Sequence, residues 1–595
     1  MRRRLWRSLL LKAIQPFGHQ FVRWLFIGAA LLLWLILIVL VVLQQPQDNG
    51  TNCARATKTD GGGVQPQTKN CDHFQTQMHT IRADLIALKN ENIKLKKNSI
   101  AFRPPMNQFD QNAQRLYSKS HELARRELDR LIMELFMRLN GHEHLGMPKE
   151  EGQREKRRLN DQLLHLLAHS RKFAQVDEAD QWHRRALARA GSRIQNALHA
   201  LQHPADCGKA RLLLCELNKG CGFGCQLHHV AYCLIMAAAV NRTMVLERDG
   251  AEWRYSRDGW TAVFQPVGTC TFAEHVPLAV TVDQFSGRQQ QNSTRIVRLP
   301  VVDGLSSRPP HLPLAFPAEL ADLLLTHHSN PPVYFIGQIV AFLMRKNARS
   351  RKFVEEALKR IPFGLGPVVG VQIRRTDKVG TEAALHHVRE YMRWAEFWFA
   401  VEQTKLGIPL EKRVFIATDD KSVIEEARAE WGQKGFVIMA NDETAEAAQP
   451  SNRYSDRSLL GVIADVHILA HCSFIVCTFS SQVCRLGYEL MQSLQGDAAE
   501  RVHSLDDIFY FGGQLAHEWE AVGEFRAEAD DEIDLRPGDL IGVAGNHWDG
   551  FSKGTNRRTR RSGLFPSYLA REKWRIVDFG IFGHDKNNGS DDGTQ

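Results

Sequence analysis

The sequence predicts an α/β protein: a doubly wound parallel sheet with one ligand crevice, preceded by long helices and followed by a small β-barrel. Two observations predict the sheet. Short apolar, β-branched runs alternate with helical periodicity after residue 330, and three of these runs end abruptly in polar groups. Val368–Ile373 runs into Arg374, Arg375, Thr376, Asp377 and Lys378; Val414–Thr418 into Asp419 and Asp420; Phe474–Phe479 into Ser480, Ser481 and Gln482. In open α/β sheets, ligands bind at the carboxyl ends of the strands, so this repetition points to one shared site. The third observation is a change of texture at 521–570, where short strands are separated by Gly, Pro and Asp turns.

At 595 residues the chain is too long for one core, and its 43% hydrophobic and 24% charged content is that of a folded protein. The net charge of +9 suits an anionic ligand or a membrane surface. No long Lys/Arg tract argues for nucleic acid; Arg557, Arg558, Arg560 and Arg561 form the densest basic run.

Taken in order, residues 1–23 form a short basic tail and 24–43 an uncharged apolar stretch long enough to cross a bilayer. Arg2, Arg3, Arg4, Arg7, Lys12 and Arg23 precede it, so the tail is expected to be cytoplasmic and the bulk lumenal, as in a single-pass type II membrane protein. Residues 44–105 read as a stem, with a coiled-coil seam at Phe74, Met78, Ile81, Leu85, Leu88, Asn92 and Leu95. Helical periodicity resumes over 106–203, with Leu163, Leu167, Ile194 and Leu198 as core candidates, and suggests a homodimer formed just above the membrane.

Cysteine usage agrees with a lumenal location. Of 11 cysteines, six crowd between Cys207 and Cys270, and in that compartment they read as disulfides, since the spacings are irregular and contain no CxxC pair. Sequons at Asn49, Asn292 and Asn588 fit the same compartment; Asn241 leads straight into a strand-like run. Residues 204–510 hold the sheet-forming segments. Near their start, Asn218–His229 is a glycine-rich run leading into a helix over Val230–Val240, where backbone can approach a phosphate or serve only as a tight turn. Two adjacent arginines at 374 and 375 provide planar, multi-donor contacts for a diphosphate, and Glu382 is available nearby as a base.

The last folded stretch, 514–575, resembles an SH3 domain through its acidic run Asp530–Asp534, Pro537-Gly538-Asp539, Trp548 and Gly563–Tyr568; residues 576–595 read as a flexible tail. Such a domain ordinarily grips a PxxP segment, and Pro310–Pro313 reads equally as an internal ligand or as a solvent loop. The ordered series NKGCGFGCQLHH, Trp253-Arg254-Tyr255, RRTDKVGTEAA, ATDD, CTFSSQVCR, HSLDDIFYFGG and AGNHWDG resembles the Golgi α1,6-fucosyltransferases, over roughly Cys207 to Tyr568.

That resemblance implies a Rossmann-like, GT-B-type catalytic domain in the Golgi membrane. It also implies inverting transfer of fucose from GDP-fucose to the 6-hydroxyl of the innermost GlcNAc of N-glycans on glycoproteins. On this mapping Arg374 and Arg375 bind the diphosphate, and Asp465 reads guanine with help near Val462. Tyr255, Gly222, Ser481 and Gln482 line the donor site. Glu382 is the base, with Lys378 tuning or relaying the proton, while Asp419, Asp420, Asp377, His547 and Lys553 face the acceptor. Gln372 stands where the family commonly has a histidine, so its nucleotide contact is expected to persist with altered affinity. No metal is implied, because Asp419-Asp420 is not a DxD pattern and the arginines neutralise the leaving group. Family-like disulfides would pair Cys207–Cys270, Cys215–Cys233, Cys221–Cys225 and Cys477–Cys484. The competing reading is a lumenal adaptor built on the coiled coil and the barrel around an inactive core; the intact Arg374, Arg375, Lys378, Glu382 and Asp465 set argues against it.

Overall fold

The computed structural model describes residues 119–583, apart from 142–148, 177, 218, 252, 274, 282–293, 300, 302–308, 377–383, 450–451, 453, 512–516 and 547–548. The described residues belong to one compact unit. The membrane span expected at 24–43 and the heptads at 74–95 lie outside the described residues, among which no helix is long and apolar enough to cross a membrane.

The helical region consists of α1 (Lys119–Gly141), α2 (Lys149–Val176) and α3 (Ala179–Gln202). Leu163, Leu167, Ile194 and Leu198 are all buried in it. Two arginines of α1 grip the rest of the chain through carbonyl oxygens: Arg126 donates to Leu325, Thr326 and His328, and Arg130 to Ser567 and Tyr568.

A first parallel sheet follows, built from β1 (Leu212–Cys215), β2 (Thr243–Leu246), β3 (Val280–Thr281) and β4 (Ile296–Leu299) in the order β2-β1-β4-β3. Helix α4 (Phe223–Ala239) joins β1 to β2, and every one of its residues except Cys225 is buried. Such an all-round apolar helix belongs inside a protein, not on its surface. The sequence placed its start at Val230, but the turn begins at Phe223, directly after Gly222. His228 and His229 are therefore interior helix residues.

After β5 (Ala315–Pro317), α5 (Ala321–His327), α6 (Pro331–Leu343) and α7 (Ala348–Lys359) comes the second sheet. Asn330 and Asn347 cap α6 and α7 by accepting from Val333 N–H and Ser350 N–H. The second sheet holds β6 (Val368–Ile373), β7 (Lys412–Thr418), β8 (Phe436–Ala440), β9 (Phe474–Cys477) and β10 (Val502–Ser504). Its connecting helices are α8 (Val388–Leu406), α9 (Lys421–Trp431), α10 (Asp442–Ala447), α11 (Asp456–His471) and α12 (Gln482–Gln495). All pairings are parallel, in the order β10-β9-β6-β7-β8. The chain steps outward from β6 to β8 and then returns to the other side of β6. That reversal places a topological switch between β6 and β9. Every residue of β6 is buried, as a strand covered on both faces requires.

The terminal barrel comprises β11 (Glu518–Ala521), β12 (Leu540–Asn546), β13 (Phe551–Asn556), β14 (Ser562–Pro566) and β15 (Ala570–Glu572), paired antiparallel. Its small core is Ala521, Ile533, Leu535, Ile541, Val543, Phe565 and Ala570. The Pro537-Gly538-Asp539 turn places Gly538 at φ 85°, and Asp539 ties it down by accepting from Arg558 and Asn556.

One expectation for the end of this region needs correction. The tail does not begin at 576, because β16 (Arg575–Val577) pairs in parallel with β5, and Phe579 and Phe582 are buried. Ile576, Val577, Phe579, Ile581 and Phe582 give that segment apolar surface to bury. The Pro310–Pro313 segment meets this same piece of chain: His311 packs on the Phe579 ring and bonds to the Asp578 carbonyl.

Candidate functional site

The switch between β6 and β9 opens onto a cavity of about 420 Å³ between the two sheets. One wall is the loop and first turn of α4, Gly220 to Cys225, with Arg254 and Tyr255; the other brings Arg374, Tyr454, Ser458, Val462, Ser481 and Gln482. Gly222, Tyr255, Arg374, Val462, Ser481 and Gln482 were predicted from sequence, and they meet here from segments up to 260 residues apart. A larger cavity of about 820 Å³ lies between the helical region and α8, lined by arginines and carboxylates, but it holds none of the sheet-edge residues.

Two helix N-termini point into the smaller cavity, with Gly222 capping α4 and Ser481 capping α12. Each leaves unpaired N–H groups and the positive end of a helix dipole, which together favour an anion. Both ends are stapled. Cys221 is bonded to Cys225 across the first turn of α4, and Cys477 at the end of β9 to Cys484 in α12. The remaining disulfides, Cys207–Cys270 and Cys215–Cys233, brace the first sheet, and Cys472 is a buried free thiol. Among the described residues, the one cluster with metal-ligand potential is Cys215, His229 and Cys233, and its two sulfurs are already joined.

Arg374 emerges from β6 with its Nη1 2.7 Å from Asp419 Oδ2, and the Arg375 N–H donates to Asp419 Oδ1 at 2.8 Å. Thr376 Oγ1 donates to the same carboxylate. Asp419 is thus buried and held by three donors, and it braces the arginine strand end. Asp420 caps α9, accepting from Ser422 N–H and Oγ through Oδ1.

Asp465 sits on α11, spaced 458, 462, 465 along the face that lines the cavity. It is buried, its Oδ1 has no partner, and burial raises its pKa well above the usual carboxylate range. Gln372 Oε1 and Arg375 Nε are also buried without partners. Such orphaned groups are costly unless a ligand satisfies them. Asp377, Lys378, Glu382 and His547 lie outside the described residues; Lys553 is exposed on β13.

Sequence reasoning missed Tyr454 and Arg254 as wall residues. The Arg254 guanidinium lies 4.6 Å above the Tyr454 ring, which packs against Tyr255 at 5.2 Å between centroids. Arg254 lies within the Trp253-Arg254-Tyr255 run, but Tyr454 carries no local signal, and its contacts with Arg254 and Tyr255 come from a distant part of the chain.

Residues 15–510 match the family described as "Alpha-(1,6)-fucosyltransferase N- and catalytic domains". The chain belongs to the alpha-(1,6)-fucosyltransferase family. It is 44% identical over 458 residues to the "Alpha-(1,6)-fucosyltransferase" of Caenorhabditis elegans, covering 77% of this chain and 80% of that protein. Identity is also 44% to the Drosophila melanogaster protein of the same name, over 408 residues, 69% of this chain and 64% of that one. Residues 521–569 match a variant SH3 domain, so the terminal barrel of this fucosyltransferase is of the SH3 class. Among solved structures, the NodZ alpha-1,6-fucosyltransferase soaked with GDP-fucose is 18% identical, covering 47% of this chain and 93% of that one at a TM-score of 0.29.

Proposed function

We propose that this fucosyltransferase moves fucose from GDP-fucose to the 6-hydroxyl of the innermost GlcNAc of N-glycans, with inversion. The observation that carries the reading is the cavity at the β6/β9 switch, where Arg374 and two helix N-termini converge; Asp465, buried with an unpaired Oδ1, follows the lining residue Val462 on the same face of α11. A nucleoside diphosphate suits this arrangement at both ends: its phosphates meet positive charge, and guanine offers two N–H donors to a carboxylate.

The acceptor hydroxyl attacks the anomeric carbon from the face opposite GDP. The new C–O bond forms as the bond to the β-phosphate oxygen breaks, and GDP departs with the electron pair. Arg374 and Arg375 neutralise the charge that develops on it, so no metal is invoked. Glu382 takes the hydroxyl proton, with Lys378 as its neighbour, and Asp377, His547 and Lys553 serve the acceptor. The protein is proposed to work in the Golgi lumen, anchored by residues 24–43 as a type II protein and paired as a homodimer through its helical region.

Binding tests the donor assignment. Calorimetry on the purified protein should detect GDP and not ADP, and Asp465→Asn should weaken GDP by roughly 10- to 100-fold, the worth of hydrogen bonds to a charged group. Because the unliganded carboxyl has a raised pKa and guanine needs it ionised, GDP affinity should climb as pH rises through that raised value. Equal affinity for GDP and ADP would remove Asp465 from base reading.

A further inference from the structure

Gln482 is held from two sides by residues that the reaction itself does not explain. Its backbone is packed against Gly224 of α4 so closely that a Cβ there would lie 2.7 Å from Gln482 Cβ and 3.0 Å from its carbonyl carbon. One turn further along α4, His228 Nδ1 lies 2.8 Å from Gln482 Oε1. The other ring nitrogen of His228, Nε2, lies 2.9 and 3.1 Å from the two carboxylate oxygens of Glu489. His228 and Glu489 are both buried, and the Phe511 ring closes over the imidazole edge-on at 5.1 Å. Residues 224 and 228 share a face of α4, and 482 and 489 share a face of α12, so the two helices meet along this row.

A carboxylate accepts only, so Nε2 donates to Glu489. With Gln482 Oε1 facing Nδ1, that nitrogen donates as well, and the ring is then the doubly protonated imidazolium that the Glu489 carboxylate pairs with. With its oxygen held by His228, Gln482 has its NH2 group left for the cavity, directly after the α12 cap. Were the amide reversed, it would set an oxygen against an anionic ligand.

We propose that His228 is a positioning residue for the donor site: braced by Glu489, it fixes the Gln482 carboxamide with its NH2 group toward a phosphate of the bound nucleotide. The proposal rests on the reading of the cavity as a GDP-fucose site. It assigns the buried pair a role in orientation, since neither His228 nor Glu489 lines the cavity.

Two substitutions in the full-length protein separate this role from a merely structural one. Asparagine at 228 places its NH2 where Nδ1 was, and glutamine places its NH2 where Nε2 was. His228→Asn therefore keeps the bond to Gln482, whereas His228→Gln keeps only the bond to Glu489. Both should lower Tm, but only His228→Gln should weaken GDP binding, by about 10-fold for one lost charge-oriented hydrogen bond. KM for GDP-fucose should rise by the same factor while KM for the glycan stays level. In a Gln482→Ala background the His228→Gln effect on GDP should vanish. Equal GDP affinities for the two 228 variants, or an undiminished effect in the Gln482→Ala background, would overturn the proposal. Should His228→Gln not fold, Gln482→Ala alone decides: wild-type GDP affinity in it would overturn the proposal, and a loss of about 10-fold would support it. A wild-type protein that binds no GDP would instead sink the donor-site reading beneath it.

Discussion

Asp419→Asn separates the geometry of the site from its sequence-based description. The wild-type carboxylate accepts from Arg374 Nη1 at 2.7 Å, from Arg375 N–H at 2.8 Å and from Thr376 Oγ1. Asparagine can keep its oxygen on Arg375 N–H, but its NH2 then faces the donors of Arg374 and Thr376. The lost interaction is a hydrogen bond to a charged group, worth roughly 1.5–3 kcal/mol when fully buried. The Arg374 side chain is 20% exposed, so solvent screening reduces the cost to about 1–2 kcal/mol. Freed from its brace, Arg374 no longer presents a fixed fork to the diphosphate. Steady-state kinetics with each substrate varied in turn should show kcat/KM for GDP-fucose falling by about 10- to 30-fold, the scale on which misplaced positioning groups act. KM for the glycan should stay within about twofold. A raised glycan KM with unchanged donor kinetics would refute this reasoning and make Asp419 an acceptor contact.

Two further outcomes follow from the same geometry. Arg374→Ala should reduce transfer by about 10³-fold while leaving the circular dichroism of the fold intact; full activity would remove Arg374 from the diphosphate site. At the base of the barrel, burial alone would lower the pKa of His517, but the Glu572 carboxylate and the Phe509 carbonyl outweigh it and raise the value. Stability from this pair is complete below the ordinary imidazole value of about 6.5 and is lost as pH rises through the raised one. Glu572→Gln should therefore cost roughly 1–2 kcal/mol at a pH of about 6 and distinctly less at about 9; equal Tm losses at both would show that the pair is not charged.

The strand ends were legible because chemistry changes abruptly there: Val368–Ile373 is apolar except for Gln372, and the next two residues are arginines. What sequence could not supply was strand order. Only the return of β9 to the far side of β6 creates the switch that joins Arg374 to Ser481 and Gln482. Asp419 shows a second limit, since a carboxylate that braces a cation and one that faces a sugar read alike until its partners are seen. The His228–Glu489 pair spans 261 residues and exists only through helix packing, so neither residue's neighbours hint at the other. The tail at 576–583 was misjudged for a related reason: its partner strand, β5, lies far earlier in the chain.

The central claim is tested most directly by incubating the purified full-length protein with GDP-fucose and a GlcNAc-terminated biantennary N-glycan in EDTA, then mapping the product linkage. The account predicts one added deoxyhexose on the 6-hydroxyl of the innermost GlcNAc. No transfer to any N-glycan, with or without Mn²⁺, would contradict it.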